Sequence, residues 1–115
     1  MKYAYLIIAN KNPKQLQMLI TMLDDSRNDI YLLIDKKSVN FPHNFHTNYS
    51  TLNYVKPLNI YWGDFSIVKG ELRLFKAAYS FHYSYYHLLS GLDLPLYNQD
   101  YIHKFFDKYL GKEFI

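Results

Sequence analysis

The sequence predicts an α/β sandwich built around a mostly parallel β-sheet. Short continuous apolar runs, typical of strands buried on both faces, alternate with segments whose apolar residues recur every three or four positions, typical of amphipathic helices. In addition, the first strand, helix and second strand occupy about 31 residues, the size of a right-handed βαβ unit with two parallel strands. The chain of 115 residues is long enough to bury a real core.

The first unit begins with a predicted strand over residues 4–9, a run of apolar side chains. Asn12 is the expected N-cap of the helix that follows, and Pro13 suits its first position because proline lacks the N–H that would go unpaired there. The helix carries its apolar residues at three- and four-residue spacing: Leu16, Leu19, Ile20 and Leu23. A polar turn over residues 24–29 ends it, and Asp24 and Asp25 are expected to be solvated.

The second strand is predicted over residues 30–34, closed by residues 35–38. Residues 39–53 lack periodicity and are expected to form an irregular loop with at most one helical turn. His43 and His46 lie in this loop at a spacing of three, which would suit two metal ligands on a helix. Because no third ligand is evident, we favour two histidines on a solvated loop.

The third strand is predicted within residues 54–62, interrupted by Pro57 and strongest at 59–62. A turn over 63–66, with Asp64 or Ser66 as cap, leads into a second helix. One face of this helix carries the large apolar residues Val68, Leu72, Phe75 and Tyr79. Another face carries the basic residues Lys69, Arg73 and Lys76. We interpret it as a solvated face rather than as a site for a polyanion.

A fourth strand, residues 85–89, stops at the small-residue turn Ser90-Gly91, and Asp93 follows. A last helix is predicted from residues 98–100 onward, with Gly111 as its C-cap and with apolar side chains directed inward: Ile102, Phe105, Phe106 and Tyr109. Residues 112–115 begin a further strand. We therefore expect residues 1–115 to form the N-terminal part of a larger domain.

Composition excludes several classes of protein. The chain contains no cysteine, so disulfides and thiolate metal sites are excluded, and no apolar run approaches the roughly 20 residues of a spanning helix. The net charge of +3 is spread along the chain, which favours a phosphate-bearing ligand without requiring nucleic acid. The expectation is a cytoplasmic protein without a signal peptide; peripheral association with an anionic membrane stays open.

The turns after the strands meet at one edge of a parallel sheet, where such proteins bind ligands. There Tyr61 or Trp62 would stack on a base, Asp35 would accept hydrogen bonds from a base N–H or a ribose, and Asp93 would accept them from sugar hydroxyls. The structural alternatives are equally favoured at this point. In those, Asp35 caps its turn, Trp62 fills the core and Asp93 forms an Asx-turn.

Several nucleotide and catalytic motifs are absent from the sequence. There is no G-x-G-x-x-G, no G-x-x-x-x-G-K-[ST] and no G-x-S-x-G. There is also no Asp-x-Asp to hold a metal at a diphosphate, since Pro95 stands two positions after Asp93.

Four segments, in order, resemble the core-2/I-branching N-acetylglucosaminyltransferase family, which includes the peptide O-xylosyltransferases: AYLIIANKNP (4–13), DIYLLIDKKS (29–38), IYWGDFSIV (60–68) and YHLLSGLDLP (86–95). The resemblance implies a Rossmann-like, three-layer fold of GT-A type, here truncated. It implies transfer of a sugar of the N-acetylglucosamine or xylose class from a UDP-sugar to a glycan, polysaccharide or other hydroxyl acceptor, with inversion. Members of the family typically work without the metal-binding Asp-x-Asp, so no cofactor is expected.

The resemblance also assigns site residues. Around the uridine it places Ala9, Asn10, Lys11, Asp35, and Trp62 or Tyr61. Near the donor sugar and acceptor it places Ser90, Gly91 and Asp93. Asn10 departs from the histidine of many relatives but keeps hydrogen-bonding capacity.

The resemblance puts the general base and the cationic residues of the diphosphate site beyond Ile115. Inverting transfer needs both, so no catalytic residue is expected in residues 1–115, and the isolated chain is expected to be inactive. A Golgi membrane location applies only if an N-terminal anchor was lost.

Two other functions remain open. The first is a complete, non-catalytic module that binds a nucleotide or a sugar. The second is a structural α/β domain whose 13 tyrosines serve a protein interface.

Overall fold

A computed structural model describes residues 2–61 and 65–90 of the chain. Within them the elements are, in chain order, β1 (Tyr3–Ala9), α1 (Pro13–Leu23), β2 (Asn28–Ile34), β3 (Thr51–Tyr54), α2 (Phe65–Tyr79) and β4 (Tyr85–Ser90). The predicted cap Asp64, the last helix from residue 98 and its C-cap Gly111 lie outside the described residues, as does the predicted strand at 112–115.

The described strands form one parallel sheet in the order β3-β2-β1-β4. The central strand is β1, where Ile7 pairs with Leu32 of β2 on one side and Leu89 of β4 on the other. This confirms the predicted α/β fold with a parallel sheet. It also confirms β1, α1, β2 and β4 within two residues of their predicted bounds.

Two apolar cores lie on opposite faces of the sheet because successive side chains of β1 alternate in direction. Tyr5 and Ile7 belong to the core under α1, whereas Leu6 and Ile8 belong to the core under α2. Helices therefore cover both faces, and β1 is buried throughout. This accounts for its continuous apolar sequence.

The prediction of the third strand was wrong. The strand lies at Thr51–Tyr54 and pairs with residues 29–32 of β2. It is a short, partly exposed edge strand of mixed polarity, so no apolar pattern marks it. Past Val55 the chain makes one isolated bridge, between Asp35 and Leu58, and Ile60 is buried (1% exposed) without belonging to a strand. Of residues 59–61 only Ile60 is buried, so the predicted strand signal there did not mark strand pairing, and Trp62 lies outside the described residues.

The large apolar residues of α2 lie on the exposed side of the helix: Val68, Leu72, Phe75 and Tyr79. The fully buried positions are Gly70, Leu74 and Ala78. A Cβ at Gly70 would lie 3.1 Å from Ile60 Cδ1 and 3.2 Å from Ile8 Cδ1, so the missing side chain lets the helix approach the sheet closely. The packed face of α2 is therefore the Gly70, Leu74 and Ala78 face, and not the one that carries most of the large apolar residues.

Asn12 is the N-cap residue of α1, as predicted, and its carbonyl accepts a hydrogen bond from the Leu16 N–H (3.1 Å). Its backbone is left-handed (φ 61°), however, and its side chain makes no capping hydrogen bond. The prediction that Asp24 is solvated was wrong. Asp24 is not simply solvated, because its carboxylate accepts hydrogen bonds from three successive backbone N–H groups, at Asn48 (2.6 Å), Tyr49 (2.9 Å) and Ser50 (2.8 Å). Asp24 therefore anchors the long loop before β3.

The loop itself contains no helical turn within residues 39–50. His43 and His46 are both exposed in it. Among the described residues no group of three or more potential metal-ligating side chains comes together, and no helix has the length and apolarity needed to cross a bilayer.

A polar cluster lies at the amino-end edge of the sheet. The Tyr83 hydroxyl donates to Asp29 (2.6 Å), the Tyr31 hydroxyl lies 2.9 Å from that of Tyr83, and Lys2 Nζ is 3.4 Å from Asp29. Burial raises the pKa of Tyr83, and its hydrogen bond to Asp29 raises that pKa further, so the phenol stays protonated. The Asp29 carboxylate therefore already has hydrogen-bond and ion-pair partners within the protein.

Candidate functional site

The candidate site is the opposite edge of the sheet, where the parallel strands end. Here the segments after β1 and β2 are joined by two hydrogen bonds. The Asp35 N–H donates to Ala9 O (2.8 Å), and the Ser38 hydroxyl donates to Asn10 O (2.6 Å). The structure therefore places the predicted residues Ala9, Asn10 and Asp35 side by side.

The Asp35 carboxylate organises this edge. It is almost fully buried (2% exposed) and accepts three hydrogen bonds, from the backbone N–H groups of Lys37 (3.0 Å) and Ile60 (3.2 Å) and from Lys37 Nζ (2.6 Å). Lys37 Nζ also donates to Ile60 O. We call these three residues the Asp35 network. The bond from the Lys37 N–H caps the turn after β2, which is the structural role predicted for Asp35. The bond from the Ile60 N–H, which was not predicted, holds the segment around Ile60 against the end of β2.

Opposing effects act on the pKa of Asp35. Burial raises the pKa of the carboxyl, but hydrogen bonds from Lys37 and Ile60, together with the Lys37 charge, outweigh burial and hold the pKa below its ordinary value. Asp24 behaves alike, since the backbone N–H groups of its loop lower its pKa more than burial raises it. At neutral pH both carboxyl groups are therefore ionised, and they accept hydrogen bonds without donating any.

These lowered pKa values predict acid sensitivity. A group with a folded-state pKa below its unfolded value, about 3.9 for aspartate, stabilises the fold above that pH and loses this contribution as the pH falls further. We expect the free energy of unfolding, measured by urea titration, to decrease below about pH 4. The double variant Asp24→Asn/Asp35→Asn should have a lower free energy of unfolding at neutral pH. As the pH falls, that free energy should decrease less than in wild type. An equal decrease in both proteins would contradict this assignment.

Tyr61 presents an aromatic ring beside the network. Its side chain is 53% exposed, and Lys37 Nζ lies 4.5 Å from the ring centroid, over one face. The Tyr61 N–H donates to the hydroxyl of Ser66 in the first turn of α2 (2.7 Å), which fixes the backbone at this position. The ring is thus held by a cation while still accessible to a planar ligand.

At the end of β4, Ser90 pairs with Ile8 of β1. Next to it, a pocket of about 140 Å³ opens between α2 and these two strands. Five apolar residues line it together with Ser90 and Glu71. Glu71 was not among the predicted site residues. Its sequence signal is an acidic residue with only apolar residues three and four positions away on either side.

The basic residues of α2 do not act as one free patch. Arg73 Nη1 donates to the backbone carbonyls of Lys56 (3.0 Å) and Pro57 (2.9 Å), so this guanidinium braces the segment before Ile60. Lys69 Nζ lies 5.9 Å from the centroid of the Phe65 ring. These contacts agree with the preferred interpretation of a surface face rather than a polyanion site.

The remaining predicted site residues divide into two groups. Lys11 is exposed directly after Asn10 at this edge. Trp62, Gly91 and Asp93 lie outside the described residues. The structure brings Ala9, Asn10, Asp35, Tyr61 and Ser90 to one edge of the sheet, as expected from parallel strands, and their contact with a ligand stays a prediction.

Comparison with known protein families gives a match over nearly the whole chain. The family model described as Core-2/I-Branching enzyme matches residues 3–115. No curated protein matches the chain.

Proposed function

The chain belongs to the core-2/I-branching enzyme family, a family of glycosyltransferases, and on this premise we propose that it binds a UDP-sugar for transfer to a hydroxyl acceptor. The donor sugar is of the N-acetylglucosamine or xylose class, the acceptor is a glycan or polysaccharide, and the transfer inverts the anomeric carbon. Residues 1–115 carry the nucleotide-binding half of the site. One observation supports this most: the Asp35 network holds Tyr61 and the end of β1 at a single edge.

The uridine would be held by stacking and by hydrogen bonds. The exposed face of Tyr61, or Trp62 next in the chain, stacks on the uracil ring, and Lys37 supports Tyr61 from the other side. A carboxylate has about four acceptor positions, and the Asp35 network uses three. The remaining one can accept a base N–H or a ribose hydroxyl. Asn10 and Lys11 complete this side of the nucleotide.

The sugar end of the donor would lie toward β4, near Ser90, Gly91 and Asp93. We propose that Asp93 positions sugar hydroxyls and that no metal ion is used at the diphosphate, because the sequence lacks an Asp-x-Asp. Inverting transfer also needs a base that deprotonates the acceptor hydroxyl and a cation that stabilises the leaving UDP.

Calorimetric titration of UDP tests the nucleotide site. We expect wild type to bind UDP, and whichever of Tyr61→Leu or Trp62→Leu removes the stacking ring should weaken binding by about 5-fold to 150-fold, the usual effect of losing one base–aromatic stack. Tyr49→Leu is the matched control, because Tyr49 is an exposed tyrosine anchored to Asp24 at the other end of the molecule.

Two outcomes would contradict the proposal. Absence of binding by a folded wild type at millimolar UDP would remove its basis. Equal affinity of UDP for wild type and for both leucine variants would exclude the stacking role and leave the uridine site unassigned.

A further inference from the structure

Among the described residues that line the pocket beside Ser90, one is charged, Glu71. The other lining residue from α2, Ile67, is apolar. The lining residues from β1 and β4 are also apolar, with the exception of Ser90. The volume of about 140 Å³ is well above the roughly 10–15 Å³ that admits one water. A helix that packs against a sheet would ordinarily place an apolar residue at such a half-buried position.

Glu71 has no neighbouring cation on its own helix. Residues three and four positions away in both directions are apolar: Ile67, Val68, Leu74 and Phe75. Arg73, two positions along, donates instead to Lys56 and Pro57. Within the part of the chain that the structure describes, no hydrogen bond or ion pair engages the Glu71 carboxylate. A partly desolvated carboxylate in apolar surroundings is unfavourable unless a ligand supplies donors.

The place of the pocket in the sheet favours a ligand. Helix α1 covers one face of the sheet and α2 the other, and the chain direction across the sheet reverses between β1 and β4. In open parallel sheets, ligands bind at this switch point, outside the carboxyl ends of the strands. Ser90 and Ile8, which line the pocket, lie at the ends of these two strands.

We propose that Glu71 is a sugar-positioning residue, whose carboxylate accepts hydrogen bonds from ring hydroxyls while the apolar wall of the pocket contacts the C–H face of the ring. This inference rests on the proposed glycosyltransferase function and extends it to a residue that the sequence did not single out. Hydroxyls of the donor sugar and of the acceptor sugar have the same chemistry, so the test separates these two sources.

The test compares wild type with Glu71→Gln, which keeps the shape, and Glu71→Leu, which removes every acceptor. Calorimetry measures UDP, UDP-N-acetylglucosamine and UDP-xylose. Saturation-transfer NMR measures the methyl glycosides of galactose, N-acetylglucosamine and xylose. Lys69→Gln is the control, because it changes the charge of an exposed residue on the same helix. Thermal unfolding confirms that each variant folds.

We expect all variants to bind UDP as wild type does. Loss of a hydrogen bond to a charged group lowers affinity by about 10-fold or more. Glu71→Leu should therefore bind the sugar probe about 10-fold or more weakly than wild type, and the affinity of Glu71→Gln should decrease less. The melting temperature of Glu71→Leu should rise, because the substitution removes from an apolar pocket a charge that no described residue pairs.

The outcomes separate the hypotheses. A loss confined to the UDP-sugars, relative to UDP, assigns the pocket to the donor; a loss confined to the methyl glycosides assigns it to the acceptor. Unchanged binding of all sugar probes, even with a raised melting temperature, overturns the inference while leaving UDP binding intact. A wild type that binds glycosides but not UDP overturns the proposed function alone, and one that binds neither overturns both.

Discussion

Asp35→Ala is expected to lower the free energy of unfolding by about 2 kcal/mol, because it removes the buried acceptor of three hydrogen bonds, although the partner Lys37 side chain is 38% exposed. The substitution leaves the N–H groups of Lys37 and Ile60, and the Lys37 ammonium, without this acceptor. The end of β2 and the segment carrying Tyr61 would then separate. UDP binding should be lost with them.

Urea denaturation monitored by circular dichroism measures this effect, with Lys36→Ala as the control because Lys36 is an exposed neighbour in the same turn. Asp35→Asn should fall between wild type and Asp35→Ala, since an amide oxygen still accepts hydrogen bonds without carrying charge. A change below about 0.5 kcal/mol in Asp35→Ala, the usual range for surface substitutions, would show that the network does not stabilise the fold.

The same geometry changes how UDP titrations should be interpreted. Loss of UDP binding in Asp35→Ala would follow from disorder of the edge as readily as from loss of a direct contact. A direct role for Asp35 is therefore supported only if Asp35→Asn keeps most of its stability at the assay temperature and still loses UDP affinity.

Leu74→Ala is expected to lower the free energy of unfolding by about 3 kcal/mol, within the usual range for truncating a buried leucine. Leu74 is 0% exposed and belongs to the core between α2 and the sheet, with Leu6 and Leu33. Truncation removes this contact and leaves a cavity under the helix. Leu72→Ala, at a position 59% exposed on the same helix, should cost less than about 1 kcal/mol.

Chemical denaturation of both variants decides which face of α2 is packed. The two substitutions are identical in chemistry and differ by two positions, so helix propensity changes equally in both. A larger loss in Leu72→Ala than in Leu74→Ala would favour the face defined by the large apolar residues and contradict the packing seen here.

The strands were predicted well where they are buried on both faces. For β1, and for β2 from Ile30 onward, the apolar run is continuous because every side chain enters one of the two cores. The edge strand β3 was misplaced because its partly exposed residues need no apolar pattern and its position depends on pairing with β2. The packed face of α2 was missed because Gly70 and Ala78 carry little hydrophobic signal.

In the candidate site, too, some residues were predicted from the sequence and others were not. Asp35, Asn10 and Ser90 were predicted because each follows a recognisable strand, and parallel strands bring their ends to one edge. The partners of Asp35 were not predictable, because Ile60 lies 25 positions along the chain and is brought close only by folding. Glu71 was missed because its one sequence signal, apolar residues three and four positions away, does not show whether a helical glutamate faces solvent or a pocket.

By itself the sequence determined the fold class, the buried strands, the family and the residues that follow the strands, because these depend on local periodicity and on the order of short segments. The tertiary structure alone decided the register of β3, the packed face of α2, the partners of Asp35 and the apolar surroundings of Glu71. These depend on distances between residues remote in the chain, and such distances arise only when the helices and strands pack together.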